Sequence, residues 1–309
     1  MDIGSGTVRV LLCRLTDGKF HRESVKRRIT RLADNFAGGL IQEAPLARTV
    51  EAATEFAREA RAFGAGEIRV ACTGVTRRAS NAPDFLRELG EKAGLNPLVI
   101  AGELEAKISA MGAAVEKGFA EQPFYLLDIG GFSTEIARIR GGVPEAVVSL
   151  EVGAVALADH HFKNDPPTEV ELAACLAEVK GKMPQAAHLR TADPVGPLVG
   201  TAGTITNLAA IDMRMERYDP ARINQAFLTA RRVGDLLNLL VSMPAANRLS
   251  LPGLEKGRED VIPAGAVICR EVMEYLGIAR LLVTEGGLLE GLAVHPEWPP
   301  KDGVLLTLE

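Results

Sequence analysis

The 309-residue chain has no apolar run long enough to span a bilayer; stretches such as LLNLLVSM from Leu236 fall far short of the roughly 20 residues a membrane helix needs. Nor does it open with a basic segment, an apolar stretch and a cleavage site, so the expectation is a soluble, cytoplasmic protein with no membrane partner. Its four cysteines, Cys13, Cys72, Cys175 and Cys269, lie far apart with no CxxC or Cys/His ligand spacing. That pattern argues against a thiolate metal centre or a redox pair and predicts buried free thiols. HxxxH, HExxH and HD patterns are absent, and His160-His161 reads as a helix-end feature. There is no Walker A loop, no GxSxG and no Cys/His arrangement for a covalent nucleophile. An excess of positive charge is missing too: the net charge is -5, which argues against broad binding to nucleic acid. An anionic substrate then requires a focused basic cleft.

What the chain does have is length and repetition. At 309 residues it exceeds what a single core usually supports, which predicts two domains of roughly 150 residues. The stretch DIGSGTVRV starts at Asp2 and DIGGFSTEI starts at Asp128. Each is followed by two β-rich runs flanking a turn, Asp17-Gly18 in the first case and Gly141-Gly142 in the second. Each half later offers a strand ending in a Thr/Gly turn before a helix, EIRVACTGVTRRAS from Glu67 and PLVGTAGTITNLAAI from Pro197. Apolar residues at three and four spacing predict helices over 46–63, 82–93, 103–115, 168–182, 229–241 and 258–276, with Asn81 as an N-cap. The fold expected is α/β: two duplicated domains with a cleft between them, 1–120 and 121–287. A hinge falls near 118–123, and a terminal helix over 288–309 packs back on the first domain.

Glycine turns after strands let backbone N–H groups approach phosphate oxygens with no Cβ in the way, and a following hydroxyl adds a donor. Gly4, Ser5, Gly6 and Thr7 form one such turn, and Gly130, Gly131, Ser133 and Thr134 form another. Alone, each is more often a hairpin device; paired across a duplicated chain and joined by GTAGT at 200–204, they point to phosphate. Asp2 and Asp128 beside these turns read either as turn acids or as carboxylates that hold Mg2+. Alternation puts Glu135 on the same side as Ser133. Glu103 and Glu105 read either as helix-dipole acids or, for a carboxylate in a cleft, as the group that orients and deprotonates an attacking water. Arg77 and Arg78 are natural phosphate clamps. The basic runs at Lys26, Arg27, Arg28 and Arg31, and at Arg231 and Arg232, read as solvated faces or as an anion path.

Taken in order along nearly the whole chain, these segments resemble the exopolyphosphatase / guanosine pentaphosphate phosphohydrolase family, within the superfamily of sugar kinases, chaperones and actin. DIGSGTVRV, ACTGVTRRASNAPDFL, VIAGELEAKISAMGA, DIGGFSTEI, GTAGTITNLAA, GREDVIPAGAVICREVMEYLG and TEGGLLEGL carry the resemblance. It implies two ribonuclease H-like (actin-like ATPase) domains and the hydrolytic release of terminal orthophosphate from polyphosphate. The alternatives are conversion of guanosine pentaphosphate (pppGpp) to the tetraphosphate, or a non-catalytic sensor of polyphosphate or alarmone.

The resemblance implies Glu105 as catalytic base and Arg77 as a phosphate-binding arginine. It implies Asp128 and Glu135, with Asp2, as acids that organise Mg2+ or Mn2+. Ser5, Gly6, Thr7, Gly130, Gly131, Ser133, Gly203 and Thr204 fall on phosphate-loop positions, and a homodimer is expected. Four positions depart from the family pattern: Gly6 for Asn, Leu104 for the first Glu of an acidic pair, Phe132 for the middle glycine of the second loop, and Leu289 for an Arg near the end. Met1 leaves almost none of the strand that usually precedes the first loop, and the C-terminal HD-type helical domain of longer members is not expected here.

Overall fold

A computed structural model describes the chain apart from residues 17, 18, 37, 120, 192–195 and 309. In chain order its elements are β1 (Asp2–Ile3), β2 (Thr7–Thr16), β3 (Lys19–Ile29), α1 (Glu43–Phe63), β4 (Val70–Cys72), α2 (Ala82–Ala93), β5 (Pro97–Ile100) and α3 (Gly102–Lys117). Next come β6 (Phe124–Ile129), β7 (Thr134–Arg140), β8 (Val143–Leu150), α4 (Ala154–His161), α5 (Glu169–Lys182) and β9 (Leu198–Thr201). They are followed by α6 (Ala202–Asp212), α7 (Pro220–Gln225), β10 (Phe227–Thr229), α8 (Ala230–Val241) and α9 (Ala245–Arg248). The chain closes with α10 (Ile262–Leu276), β11 (Arg280–Val283), α11 (Leu288–Val294) and β12 (Val304–Leu306).

The chain divides into two compact units, Met1–Gly112 with Leu288–Glu309, and Ala113–Gly287. The division falls inside α3, before the 118–123 stretch expected as a hinge. Among the described residues each unit holds a six-stranded sheet, ordered β12-β5-β4-β1-β2-β3 in the first and β10-β11-β9-β6-β7-β8 in the second. The two orders match strand for strand. In each, three central strands run parallel (β1, β4, β5; β6, β9, β11), a hairpin of two antiparallel strands continues one side, and an antiparallel strand closes the other edge.

Local chemistry explains the elements. Strand β6 is buried at every residue, FYLLDI, as befits the centre of a sheet. Gly141 and Gly142, at φ 58° and 74°, make the two-residue turn between β7 and β8, where both positions need positive φ. The corresponding Asp17-Gly18 turn lies outside the described residues. Helix α1 buries Leu46, Val50, Ala53, Ala57 and Ala60 on one stripe and stops at Gly64, whose φ of 86° gives a left-handed cap. Helix α5 starts with a capping box between Thr168 and Glu171. Accepting those backbone and side-chain hydrogen bonds holds the Glu171 carboxyl down to about 2.

Two expectations need correction. The 288–309 segment is helical only over Leu288–Val294; it then returns as β12, antiparallel to β5, because Val304 and Leu306 find an open sheet edge. Asn81 occupies the N-cap position of α2 without capping it. Its amide instead clamps the backbone of Ile41 from both sides, accepting from the N–H at 3.0 Å and donating to the carbonyl at 2.9 Å.

The two cores are separate sets of side chains. In the first unit Ala71, Leu98, Ile100 and Ile108 pack with Leu288 and Leu292 of α11. The backbone contact there is close: a Cβ on Gly291 would lie 1.8 Å from the Ile108 carbonyl oxygen. In the second unit the sheet is covered by α4, α5, α6, α8 and α10. No helix among the described residues is long and apolar enough to cross a membrane.

All four cysteines are free; Cys72, Cys175 and Cys269 are fully buried and Cys13 is half-buried. Burial pushes the Cys269 thiol up to about 12, and burial with the nearby Glu178 charge does the same to Cys175. In the native protein at pH 8, iodoacetamide is therefore expected to modify Cys13 ahead of the other three, and all four only after denaturation. Mass spectrometry of peptides checks this, and early native labelling of Cys72 or Cys269 would contradict it.

Candidate active site

In each unit the motif-bearing turns follow the carboxyl ends of parallel strands, which is where open α/β sheets bind ligands. In the first unit these are the Gly4–Thr7 turn after β1, the 3-10 turn Gly74–Arg77 after β4 and the start of α3 after β5. In the second they are the turn over 130–133 after β6, the start of α6 after β9 and Thr284-Glu285-Gly286-Gly287 after β11.

Both acid turns are built alike. The N–H of Gly4 donates to the carbonyl of Thr7 at 3.0 Å, and the N–H of Gly130 donates to that of Ser133 at 3.0 Å. The cross-strand partner of each acid lies seven residues on: Asp2 faces Arg9, and Asp128 faces Glu135. Duplication has thus kept the geometry and inverted the charge.

In the first unit Asp2, 4% exposed, accepts two hydrogen bonds on Oδ2, from Arg9 Nε at 2.8 Å and from a terminal guanidinium nitrogen at 2.5 Å. Its Oδ1 is buried with no hydrogen-bond partner among the described residues and lies toward Gly4, 4.0 Å from where a Cβ would sit. Ser5 Oγ accepts from the Val75 N–H at 2.8 Å, tying the first loop to the turn after β4. Gly74 makes room for it: at φ 61°, a Cβ there would stand 2.2 Å from Ser5 Oγ. The same 3-10 turn ends at Arg77, whose guanidinium reaches α3 and donates to Glu105 Oε2 at 2.5 Å. Both side chains are largely buried, 13% and 11% exposed. Glu103 is exposed, so the fold itself separates the two acids that the sequence presents side by side.

In the second unit the register aligns Thr201, Asp128, Glu135 and Ser149 in one row across β9, β6, β7 and β8. Ser149 Oγ donates to Glu135 Oε1 at 2.7 Å, and Thr201 Oγ1 donates to the Gly286 carbonyl at 2.9 Å. Glu135 is fully buried and Asp128 nearly so. Ser133 and Phe132 are buried too, while Gly130 and Gly131 stay partly exposed, so the Phe132 ring is packed rather than presented to solvent. At the third loop Ala202 adopts φ 66°, a conformation rarely seen outside glycine and typical of constrained functional turns. Gly203 leaves space for Arg258: a Cβ would meet its guanidinium at 2.3 Å. Asn207 closes that loop, donating to the Gly203 carbonyl at 2.8 Å and accepting from the Glu255 N–H, while Glu255 accepts from Arg258 Nε at 2.8 Å. Thr204 is buried, its methyl group turned toward Gly265 of α10.

Sequence reasoning missed Arg9, Gly153, Arg258 and Asn207. Arg9 was readable, since it stands where Glu135 stands in the other repeat. Gly153 had no local signal: its importance is that a Cβ would fall 2.4 Å from the Gly131 carbonyl carbon and the Phe132 nitrogen. The basic run on β3 is engaged elsewhere. Lys26 pairs with Glu59 and Arg28 with Glu55 on α1, and Arg232 pairs with Asp212, so these charges are salt-bridged faces. The four departures lose much of their weight. Leu104 and Leu289 fill the first unit's packing, and Gly6 has nothing within 4 Å of a built Cβ.

Two matching sheets of this topology, with glycine loops at the ends of their parallel strands, define the class of duplicated ribonuclease H-like, actin-like proteins. Within it, the chain belongs to the Ppx/GppA phosphatase family, whose model matches residues 11–297, and it is a hydrolase. It is 31% identical to exopolyphosphatase 2 of Mycobacterium tuberculosis, over 95% of this chain and 96% of that one. Its fold is similar to that of the Aquifex aeolicus PPX-GPPA enzyme, with a TM-score of 0.80 at 30% identity, covering 95% and 97% of the two chains. An exopolyphosphatase from Cytophaga hutchinsonii shares the fold at 20% identity, with a TM-score of 0.85 and 94% of each chain covered.

Because the atoms that a Gly153 Cβ would meet are backbone, the contact cannot relax cheaply. Gly153→Ala is expected to destabilise the protein by about 1–3 kcal/mol. The urea midpoint measures this; an unchanged midpoint would show that the loop has room.

Proposed function

We propose that the protein is an exopolyphosphatase, releasing terminal orthophosphate from inorganic polyphosphate by attack of water. The observation that carries the reading is the linked set in the first unit: Ser5 on the first loop bonds the turn that ends in Arg77, and Arg77 holds Glu105. Hydrolysis of a phosphoanhydride needs a positioned water, a group to take its proton and positive charge for the phosphoryl oxygens. Glu105 supplies the carboxylate. Its ion pair with Arg77 fixes the side chain, and a guanidinium is the group whose planar fork matches phosphate oxygens. Backbone N–H groups of the first glycine turn would receive further phosphate oxygens.

The acids fit a hard cation. Asp128 and Glu135 face each other across one register pair, and adjacent carboxylates are the oxygen donors a hard cation takes. In the first unit, taken by itself, Asp2 keeps one buried carboxylate oxygen with no hydrogen-bond partner among the described residues. In this reading Asp128 and Glu135 would hold Mg2+, with Mn2+ as the alternative. Such a metal neutralises phosphate charge and is usually completed by substrate oxygens and water. The name of the mycobacterial relative supports polyphosphate as substrate. Guanosine pentaphosphate, cleaved by the same chemistry, is the second candidate.

Phosphate release from the two substrates, compared as kcat/KM with Mg2+ present, decides between them. Glu105→Gln is expected to lower kcat at least about 100-fold with little change in KM. A rate equal to that of the parent would remove Glu105 from the role of base. The open space at Gly6 gives a converse test. Gly6→Asn is expected to fold normally and to lower KM for polyphosphate, since the amide adds a donor to the loop, whereas a raised KM would show that the smaller residue is part of this protein's substrate fit.

A further inference from the structure

The sequence offers no metal spacing among its histidines, yet the fold brings a third ligand to two of them. His160 and His161 are the last two residues of α4, and Glu178 stands opposite on α5. Both imidazoles turn a ring nitrogen to the same carboxylate oxygen, His161 Nε2 at 2.7 Å and His160 Nδ1 at 3.3 Å from Glu178 Oε2. The three ligating atoms lie within 4.8 Å of one another, and no other set of three or more His, Cys, Asp or Glu groups among the described residues does so.

An ion pair accounts poorly for this arrangement. The two rings are stacked, with centroids 4.5 Å apart and planes 21° from parallel, so protonating both places two cations face to face. The ion pairs found for Glu178 among the described residues are with these two histidines; no Lys or Arg salt bridge competes for it. One divalent ion taking a lone pair from each neutral ring and one from the carboxylate satisfies all three groups without that repulsion. Zn2+ binds such nitrogens and oxygens at about 2.0–2.2 Å, which sets neighbouring ligands of a tetrahedron roughly 3.3 Å apart. The observed 2.7 and 3.3 Å need only a small opening. Mg2+ favours an octahedron of oxygens and is a poor match for two imidazoles. His161 is 12% exposed and His160 71% exposed, so the ion has one fixed ligand within the packing, one at the surface and an open side for water.

We propose that His160, His161 and Glu178 form a Zn2+ site, separate from the phosphate loops. It would clip the end of α4 to α5. The first turn of α4 donates Ala154 N–H to the Gly130 carbonyl and Val155 and Ala156 N–H to the Gly131 carbonyl. The site would therefore steady, from about 10 Å away, the helix on which the second loop rests.

The test uses the full chain freed of metal by chelation and then titrated calorimetrically with Zn2+ in excess Mg2+, which occupies oxygen-only sites. The parent is expected to take up one equivalent of Zn2+ that Glu178→Gln and His161→Ala bind at least tenfold more weakly, and to raise its Tm with Zn2+ more than either variant. Co2+ should give tetrahedral d–d absorption in the parent and lose it in Glu178→Gln. Glu178→Gln keeps the shape of the side chain, so the comparison survives even if His161→Ala folds poorly. Zinc uptake that is absent, or identical in the parent and Glu178→Gln, overturns the proposal.

Discussion

The constraint on which each unit depends is the turn after its first parallel strand, against which another segment must pack with no Cβ in the way. A carboxylate at the end of a buried strand is costly unless the chain around it supplies charge or donors, and in the first unit the turn does so by bringing Arg9 back opposite Asp2. Its carbonyls are then consumed. The Gly6 carbonyl accepts from Thr30 and Arg31, and the Gly131 carbonyl accepts from Val155 and Ala156. The turn's oxygens are thereby held inward by protein. Gly74 and Gly153 are the positions that allow this approach, one beside Ser5 and the other beside Gly131, and neither tolerates a Cβ at its observed position. Rigidity of the loop is in this sense a property of the segment that packs on it.

Much of this was legible because its signals are local. Repeated DIG turns and three-four apolar spacing each follow from the conformational needs of a few residues, so the duplication and the long helices could be read directly. The misreadings share a different cause. Asn81 looks like a cap because its neighbours are helical, but its amide is claimed by Ile41, 40 residues away. The closing segment looks like one helix because TEGGLLEGL starts one, while β12 exists only because β5 leaves an edge to fill. Glu103 and Glu105 are equivalent in sequence and differ only through Arg77, which arrives from a turn 28 residues earlier. Glu178 could not be linked to His160 and His161 without the packing of α4 on α5.

The inverted charge at the acid turn shows how a duplicated fold comes to hold two different chemistries. In the first unit Arg9 neutralises one oxygen of Asp2 through two short hydrogen bonds, so that the acid is a fixed part of the turn with one oxygen remaining. In the second, the same register position holds Glu135, steadied by Ser149 from the next strand. Two carboxylates stand in register where the first unit has a carboxylate and a guanidinium. A hard cation is favoured at the second position and disfavoured beside a guanidinium, simply from Coulomb's law at a separation of a few ångströms in a poorly solvated site. The proposed metal is therefore assigned to Asp128 and Glu135. The first unit's distinctive contribution is the Arg77–Glu105 pair, for which the second unit has its own basic group, Arg258, held against Gly203. Each unit thus sets an arginine near a glycine turn, but only the first couples it to a carboxylate on the following helix. That coupling is the physical reason for assigning the proposed proton transfer to the first unit.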